Sequence, residues 1–111
     1  GDLVACTEIT PFDENESTSS PTETPLWDAM GRVSAARVAD SALVPFLTVG
    51  ATDARFFRRH GSVAYGFGLF SRKLSFDDYA SMFHGNDERV DTESLVLSTR
   101  LWDGLARDLL G

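Results

Sequence analysis

The run ALVPFLTVG, residues 42–50, decides how the rest of the chain is read. It is short, apolar and bounded by Gly50, the pattern of a strand buried in a parallel or mixed sheet. Residues 44–49 are therefore expected as a central strand. The turn at Asp53 then falls at that strand's C-terminal end, where open α/β sheets place their sites.

Downstream, ATDARFFRRHG (51–61) reads as a helix that Asp53 can cap, with Arg55 in its first turn and His60 and Gly61 marking its end. SVAYGFG (62–68) reads as the next strand, where Gly66 and Gly68 mark a bend or a close approach. SRKLSFDDYASM (71–82) is polar and irregular, with room for one helical turn. Asp91 then caps a helix whose stripe is Leu95, Leu101, Trp102, Leu105 and Leu109, with Gly111 just past its end.

Upstream, Thr24 is placed to cap a helix that starts at Pro25 and runs to about residue 39, with Leu26, Met30, Val33 and Val38 on one face. DENESTSSPTETP (13–25) carries no apolar side chain and reads as a linker. LVACTEIT (3–10) has the β-branched content of an edge or terminal strand that stops at Pro11. The order is strand, linker, helix, strand, helix, strand, loop, helix, the alternation of an α/β layer protein. Two buried-type strands after the linker are too few for a covered sheet, and the first strand stands alone. Both oddities vanish if the chain is the end of a larger protein.

Composition bounds the function. At 111 residues, one core is expected. No apolar run approaches the roughly 20 residues that cross a bilayer. The first residues lack the pattern of an export signal. Ten Lys and Arg against 17 Asp and Glu give a net charge of −7, which repels nucleic-acid phosphates and anionic membranes, so neither is expected as a partner. Cys6 is the one cysteine, which rules out an intrachain disulfide and fits a cytoplasmic protein. It reads as a small core residue.

MFHGNDERV (82–90) holds one of two histidines beside a glycine, followed at once by Asn86, Asp87, Glu88 and Arg89. A histidine on such a turn can be held at a fixed angle for a ligand, a metal or a substrate. An ordinary surface loop has the same composition.

VPFLTVGATDARFFRRHGSVAYGF, then FHGNDERV and a capped amphipathic helix, resembles the C-terminal end of the two-zinc aminoacylase and carboxypeptidase family. That group includes acetylornithine deacetylase, succinyl-diaminopimelate desuccinylase and several dipeptidases. A Gly-x-Thr-Asp-Ala-Arg turn, a Tyr-Gly-Phe strand and a His-Gly-x-Asp/Asn-Glu-Arg loop stand in the family's order and roughly its spacing. The resemblance implies that residues 1–12 are the trailing strand of an inserted lid domain, 13–24 a linker and 25–111 the C-terminal half of the catalytic domain, a mixed sheet flanked by helices. It implies metal-assisted amide hydrolysis of N-acyl amino acids or small peptides, with two zinc ions, or cobalt or manganese in their place.

On that resemblance His84 is a metal ligand, with Gly85 removing bulk beside it. Arg55 receives the substrate's free carboxylate through its guanidinium fork, and Thr52 adds a hydroxyl contact. A solvated charge in a first helical turn is the plainer account of Arg55. Asp53 fixes its turn, Glu88 orients the histidine loop, and Gly66 lines the cleft. The family's remaining ligands and its general base belong to an N-terminal half. No His-x-Asp and no Glu-Glu occurs in this chain. The isolated chain is thus expected to be inactive, its partners being the missing half, the substrate and a second copy as a homodimer. The contrasting reading is a free-standing acidic α/β interaction module without catalysis.

Overall fold

The structure, a computed structural model, describes residues 8, 10 and 15–111. Among these, four helices form: α1 (Pro25–Ala35), α2 (Ala54–Arg59), α3 (Phe76–Ser81) and α4 (Thr92–Leu110). No strand is present among the described residues. None of the helices is long and apolar enough to cross a membrane.

Helices form where the sequence carries its own start signals. The Thr24 hydroxyl accepts from Trp27 N at 3.1 Å, and Pro25 takes the first helical position, where its missing N–H is not needed. Asp91 accepts from Ser94 N at 2.9 Å to open α4. Ser75 and Asp78 form a reciprocal capping box at α3, a start the sequence reading leaves as an irregular stretch. α1 stops at Ala35, short of residue 39, and Asp40 takes a positive φ of 58° just beyond. Asp53 stands at the start of α2, but its side chain makes no cap bond.

The core lies where α1 crosses α4. Ala29, Met30 and Val33 of α1 pack against Leu101 and Leu105 of α4. Gly104 permits the crossing, since a Cβ there would stand 2.8 Å from Val33 Cγ1. Of the stripe expected on α4, Leu95, Trp102 and Leu109 are exposed. The face that is buried runs through Ser94, Leu101 and Leu105 instead.

Tyr65, Phe67 and Leu69 pack on this core at alternate positions, so residues 62–68 keep a two-residue periodicity. They are held by side chains, not by a ladder. Ser98 Oγ donates to Leu69 O at 2.9 Å, and Ser71 N donates to the buried Ser94 Oγ at 2.9 Å. The polar segment before α1 is tied to the same stretch. Ser20 Oγ donates to Ala64 O and accepts from Ala64 N, at 3.1 and 3.0 Å. The Thr24 and Tyr65 hydroxyls share a hydrogen bond at 2.7 Å.

The α/β expectation is therefore overturned: the described residues contain helices and loops and no mixed sheet. Residues 44–49 are the clearest correction. Expected as a central buried strand, they leave Val44, Phe46, Leu47 and Val49 exposed at 74, 79, 83 and 93%. A helix closes its hydrogen bonds within itself, whereas a strand exists only against a partner. Pro45 further removes a ladder donor from the middle of the run. The strand expected at 3–10, Cys6 included, lies outside the described residues except for 8 and 10.

Candidate functional site

The histidine loop is built from its ends inward. Met82 is buried and anchors the loop below α3, and Arg89 N donates to Met82 O at 3.3 Å, closing residues 83–88 into a turn. Phe83 stacks edge-on to Tyr79 with ring centroids 4.7 Å apart, and Tyr79 in turn meets Phe70 at 4.2 Å. Arg89 pairs with Asp87 at 3.0 Å across the same turn. His84 then projects from a loop fixed on both sides, and it is exposed.

The reversal of chain direction occurs at His84 itself, whose φ is +55°. Gly85 beside it is not in the left-handed region. A non-glycine residue there carries a backbone cost of about 1–2 kcal/mol. Such outliers gather at ligand clamps and active sites. No hydrogen bond or ion pair among the described residues engages the imidazole. Glu88 is exposed on the same loop.

Asp78 and Asp91 flank the loop at the start of α3 and α4. Hydrogen bonds from Ser75 hold the Asp78 carboxyl below its ordinary range, and those from Ser94 do the same for Asp91. Both remain ionised at neutral pH.

The second cluster lies at the start of α2. Thr52 O accepts from Arg55 N at 3.2 Å, so the turn is closed by backbone, and the Thr52 hydroxyl is left exposed. The Arg55 guanidinium carbon lies 4.9 Å from the Phe56 ring centroid. Arg55 Nε is buried with no hydrogen-bond partner in the structure. A charged donor held without an acceptor is poised for one. Its neighbour Arg58 differs: Nη2 donates to Ala64 O at 2.6 Å and Nη1 to Thr18 O at 3.4 Å, a structural tie between segments.

Beside Phe83 lies a groove of about 860 Å³, lined chiefly by Phe46, Phe67, Phe70, Tyr79, Phe83 and Trp102. Gly66 is among the residues lining this groove and is exposed. Sequence reasoning missed Tyr79 and Phe70 as supports of the histidine loop. The signal for Tyr79 was its spacing from Phe76 in α3 and from Phe83 just beyond the helix end, three and four residues apart.

No direct contact among the described residues joins the Arg55 turn to the His84 loop. Nor do three His, Cys, Asp or Glu side chains gather there in a group that could hold a metal. The donor set fits zinc as one imidazole ligand of the three or four that such an ion needs, not as a whole site. No protein-family model, no curated protein and no solved structure matches the chain.

Proposed function

We propose that the chain supplies the C-terminal part of the active site of a two-zinc hydrolase that cleaves the amide bond of N-acyl amino acids or small peptides. The observation that carries this reading is His84, an exposed imidazole in a left-handed turn that is braced on both sides. It belongs to the ordered set of motifs that resembles the family. On this reading the chain is part of a longer parent protein and is inactive alone, because one ligand cannot hold a metal pair.

Zinc, or cobalt or manganese in its place, would supply a polarised carbonyl and a water acidic enough to attack at neutral pH. The chain's own residues bind and orient. His84 offers a ring nitrogen, and the fixed loop limits its swing. Arg55 offers two parallel donors to a substrate carboxylate, with Thr52 beside it and Asp53 shaping the turn. On this reading Glu88, exposed on the same loop, would help orient it.

The test is metal and turnover measured together. In the parent, His84→Ala is expected to abolish hydrolysis of N-acetyl amino acids and to lower zinc content, with the melting temperature little changed. The purified 111-residue chain is expected to hydrolyse none. Chelator-sensitive hydrolysis by that chain alone would place the site elsewhere. Full activity of the His84→Ala parent at saturating zinc would refute His84 as a metal ligand.

A further inference from the structure

We propose that the aromatic groove is a docking site for an extended, uncharged peptide, which pairs through main-chain hydrogen bonds with Gly66, Phe67 and Gly68 on the groove wall. The proposal depends neither on zinc nor on hydrolysis.

The first observation is a gap in the hydrogen bonding of residues 64–71. At one end, Ala64 donates to and accepts from Ser20 Oγ, at 3.0 and 3.1 Å. At the other, Leu69 O accepts from Ser98 Oγ and Ser71 N donates to Ser94 Oγ, both at 2.9 Å. Between them, no hydrogen bond among the described residues engages the backbone of Gly66, Phe67 or Gly68. Neither glycine has a positive φ, and Tyr65, Phe67 and Leu69 seat on the core at alternate positions, the spacing of an extended chain. A segment held at both ends, with free donors and acceptors between, is what an added strand pairs with.

The second is what stands along the gap. Gly66, Phe67 and Gly68 all line the groove, whose volume of about 860 Å³ falls within the roughly 300–1,000 Å³ of ligand sites. A Cβ added to Gly66 would meet nothing within 4 Å, so the main chain there is open to the approach of another. Rings make much of the remaining wall, and Tyr79 is held edge-on between Phe70 and Phe83, with centroids 4.2 and 4.7 Å away. Such rings receive the apolar side chains that an extended peptide carries at alternate positions.

Polarity decides the class of occupant. No charged side chain and no histidine lines the groove, in a chain that is 24% charged, so an ionic ligand would find no counter-charge there. The wall hydroxyls of Ser75 and Ser98 are already bonded, to Asp78 Oδ2 at 2.7 Å and to Leu69 O at 2.9 Å. The main chain of 66–68 offers donors and acceptors in alternation. A second main chain matches that alternation, whereas a purely apolar molecule would cover it and leave it unpaired.

The test uses the 111-residue chain and a pair of short synthetic peptides, acetylated and amidated, in which phenylalanine and threonine alternate. The second peptide has alternate amide nitrogens methylated, which keeps its side chains and removes the donors along one edge. In amide-resolved NMR titrations the first peptide is expected to shift the Gly66, Phe67 and Gly68 amides. The methylated peptide is expected to bind about tenfold or more weakly. Phe76→Ala removes a groove ring that is 72% exposed, and is expected to weaken binding severalfold with the melting temperature unchanged. Equal affinity for the two peptides overturns the proposal, as do shifts confined to other residues. A neutral naphthylamine dye that occupies the groove and is not displaced by the first peptide would make it a site for small apolar molecules instead. Shifts of the same amides on dilution of the chain alone, with a dimer seen by sedimentation, would assign the groove to a second copy.

Discussion

A Cβ added to Gly104 would stand 2.8 Å from Val33 Cγ1, closer than packed carbons tolerate. Arg37 Nη2 lies equally near, at 2.8 Å, but it is the far end of a flexible side chain and can move. Val33 cannot, since its branched side chain is confined to one rotamer in a helix. Gly104→Ala gains helix propensity of about 1 kcal/mol. Overpacking at the crossing costs about 1–3 kcal/mol. The net expectation is a lower melting temperature by circular dichroism, and a larger fall for Gly104→Val. A rise for the alanine variant would mean that α1 and α4 do not cross there.

Ser94 is 1% exposed and its hydroxyl accepts from Ser71 N at 2.9 Å. Ser94→Ala leaves that amide without an acceptor, at a cost of about 1–3 kcal/mol. Ser98→Ala, whose hydroxyl donates to Leu69 O, frees an acceptor that tolerates loss better, so a smaller effect is expected. Urea unfolding of the two variants measures the difference. Equal midpoints would show that residues 69–71 are not fixed to α4 by these bonds.

What was legible in the sequence was local. Thr24 and Asp91 declared their helices because a cap needs only the next three residues. Residues 44–49 read as a buried strand from their apolar run, but whether a strand pairs depends on surfaces distant in sequence, and here they are exposed. Pro45, which lacks a ladder donor, is the local residue that speaks against a central strand. Ser94 was invisible for the opposite reason: a polar residue on a buried face looks like a surface residue until its partner, Ser71, is placed. The histidine loop was legible as a loop. Its strain at His84 was not, because the neighbouring glycine looked the natural place for it.

Acid is expected to weaken the fold at its helix starts. The Asp78 and Asp91 carboxyls are held below the ordinary 3.8 by their capping bonds, and Asp108 by the hydrogen bond from Arg32. A depressed carboxyl stabilises the fold fully above its ordinary value and loses that contribution as pH falls through the folded value. Stability should therefore be flat from pH 7 to about 5 in this respect and decline below about 4. Asp91→Asn keeps a cap oxygen without a titrating group, and should shallow the acid decline. An unchanged acid limb in that variant would show that Asp91 does not contribute to it.

His84 allows strain and chemistry to be separated by two substitutions. Glycine takes the left-handed conformation freely, so His84→Gly relieves the backbone cost while enlarging the unfolded ensemble, and the two nearly cancel within about 1 kcal/mol. His84→Ala keeps the cost and removes only an exposed ring. Neither variant of the 111-residue chain should melt far from the unmutated chain, and glycine should be no worse than alanine. In the parent both should lose zinc and turnover alike. Activity retained by the glycine variant would show that the loop's shape, and not the imidazole, is what matters.

Arg55→Ala should differ in kind from any change at His84. The guanidinium makes one ring contact to Phe56 and leaves Nε unpartnered, so little stability depends on it and the fold should survive. Zinc content of the parent should stay unchanged, because no metal ligand is removed. The loss should appear in kcat/KM, and most for substrates with a free carboxylate, since a bidentate charge-assisted pair is replaced by nothing. Truncating one partner of such a pair costs about 2–5 kcal/mol, or roughly thirtyfold to several thousandfold in kcat/KM. An amidated substrate lacks the carboxylate and should be turned over nearly as well by the variant as by the unmutated parent. Arg55→Lys, which keeps the charge but not the fork, should fall between. Equal losses on free and amidated substrates would remove Arg55 from carboxylate recognition and return it to the ordinary role of a charge at a helix start.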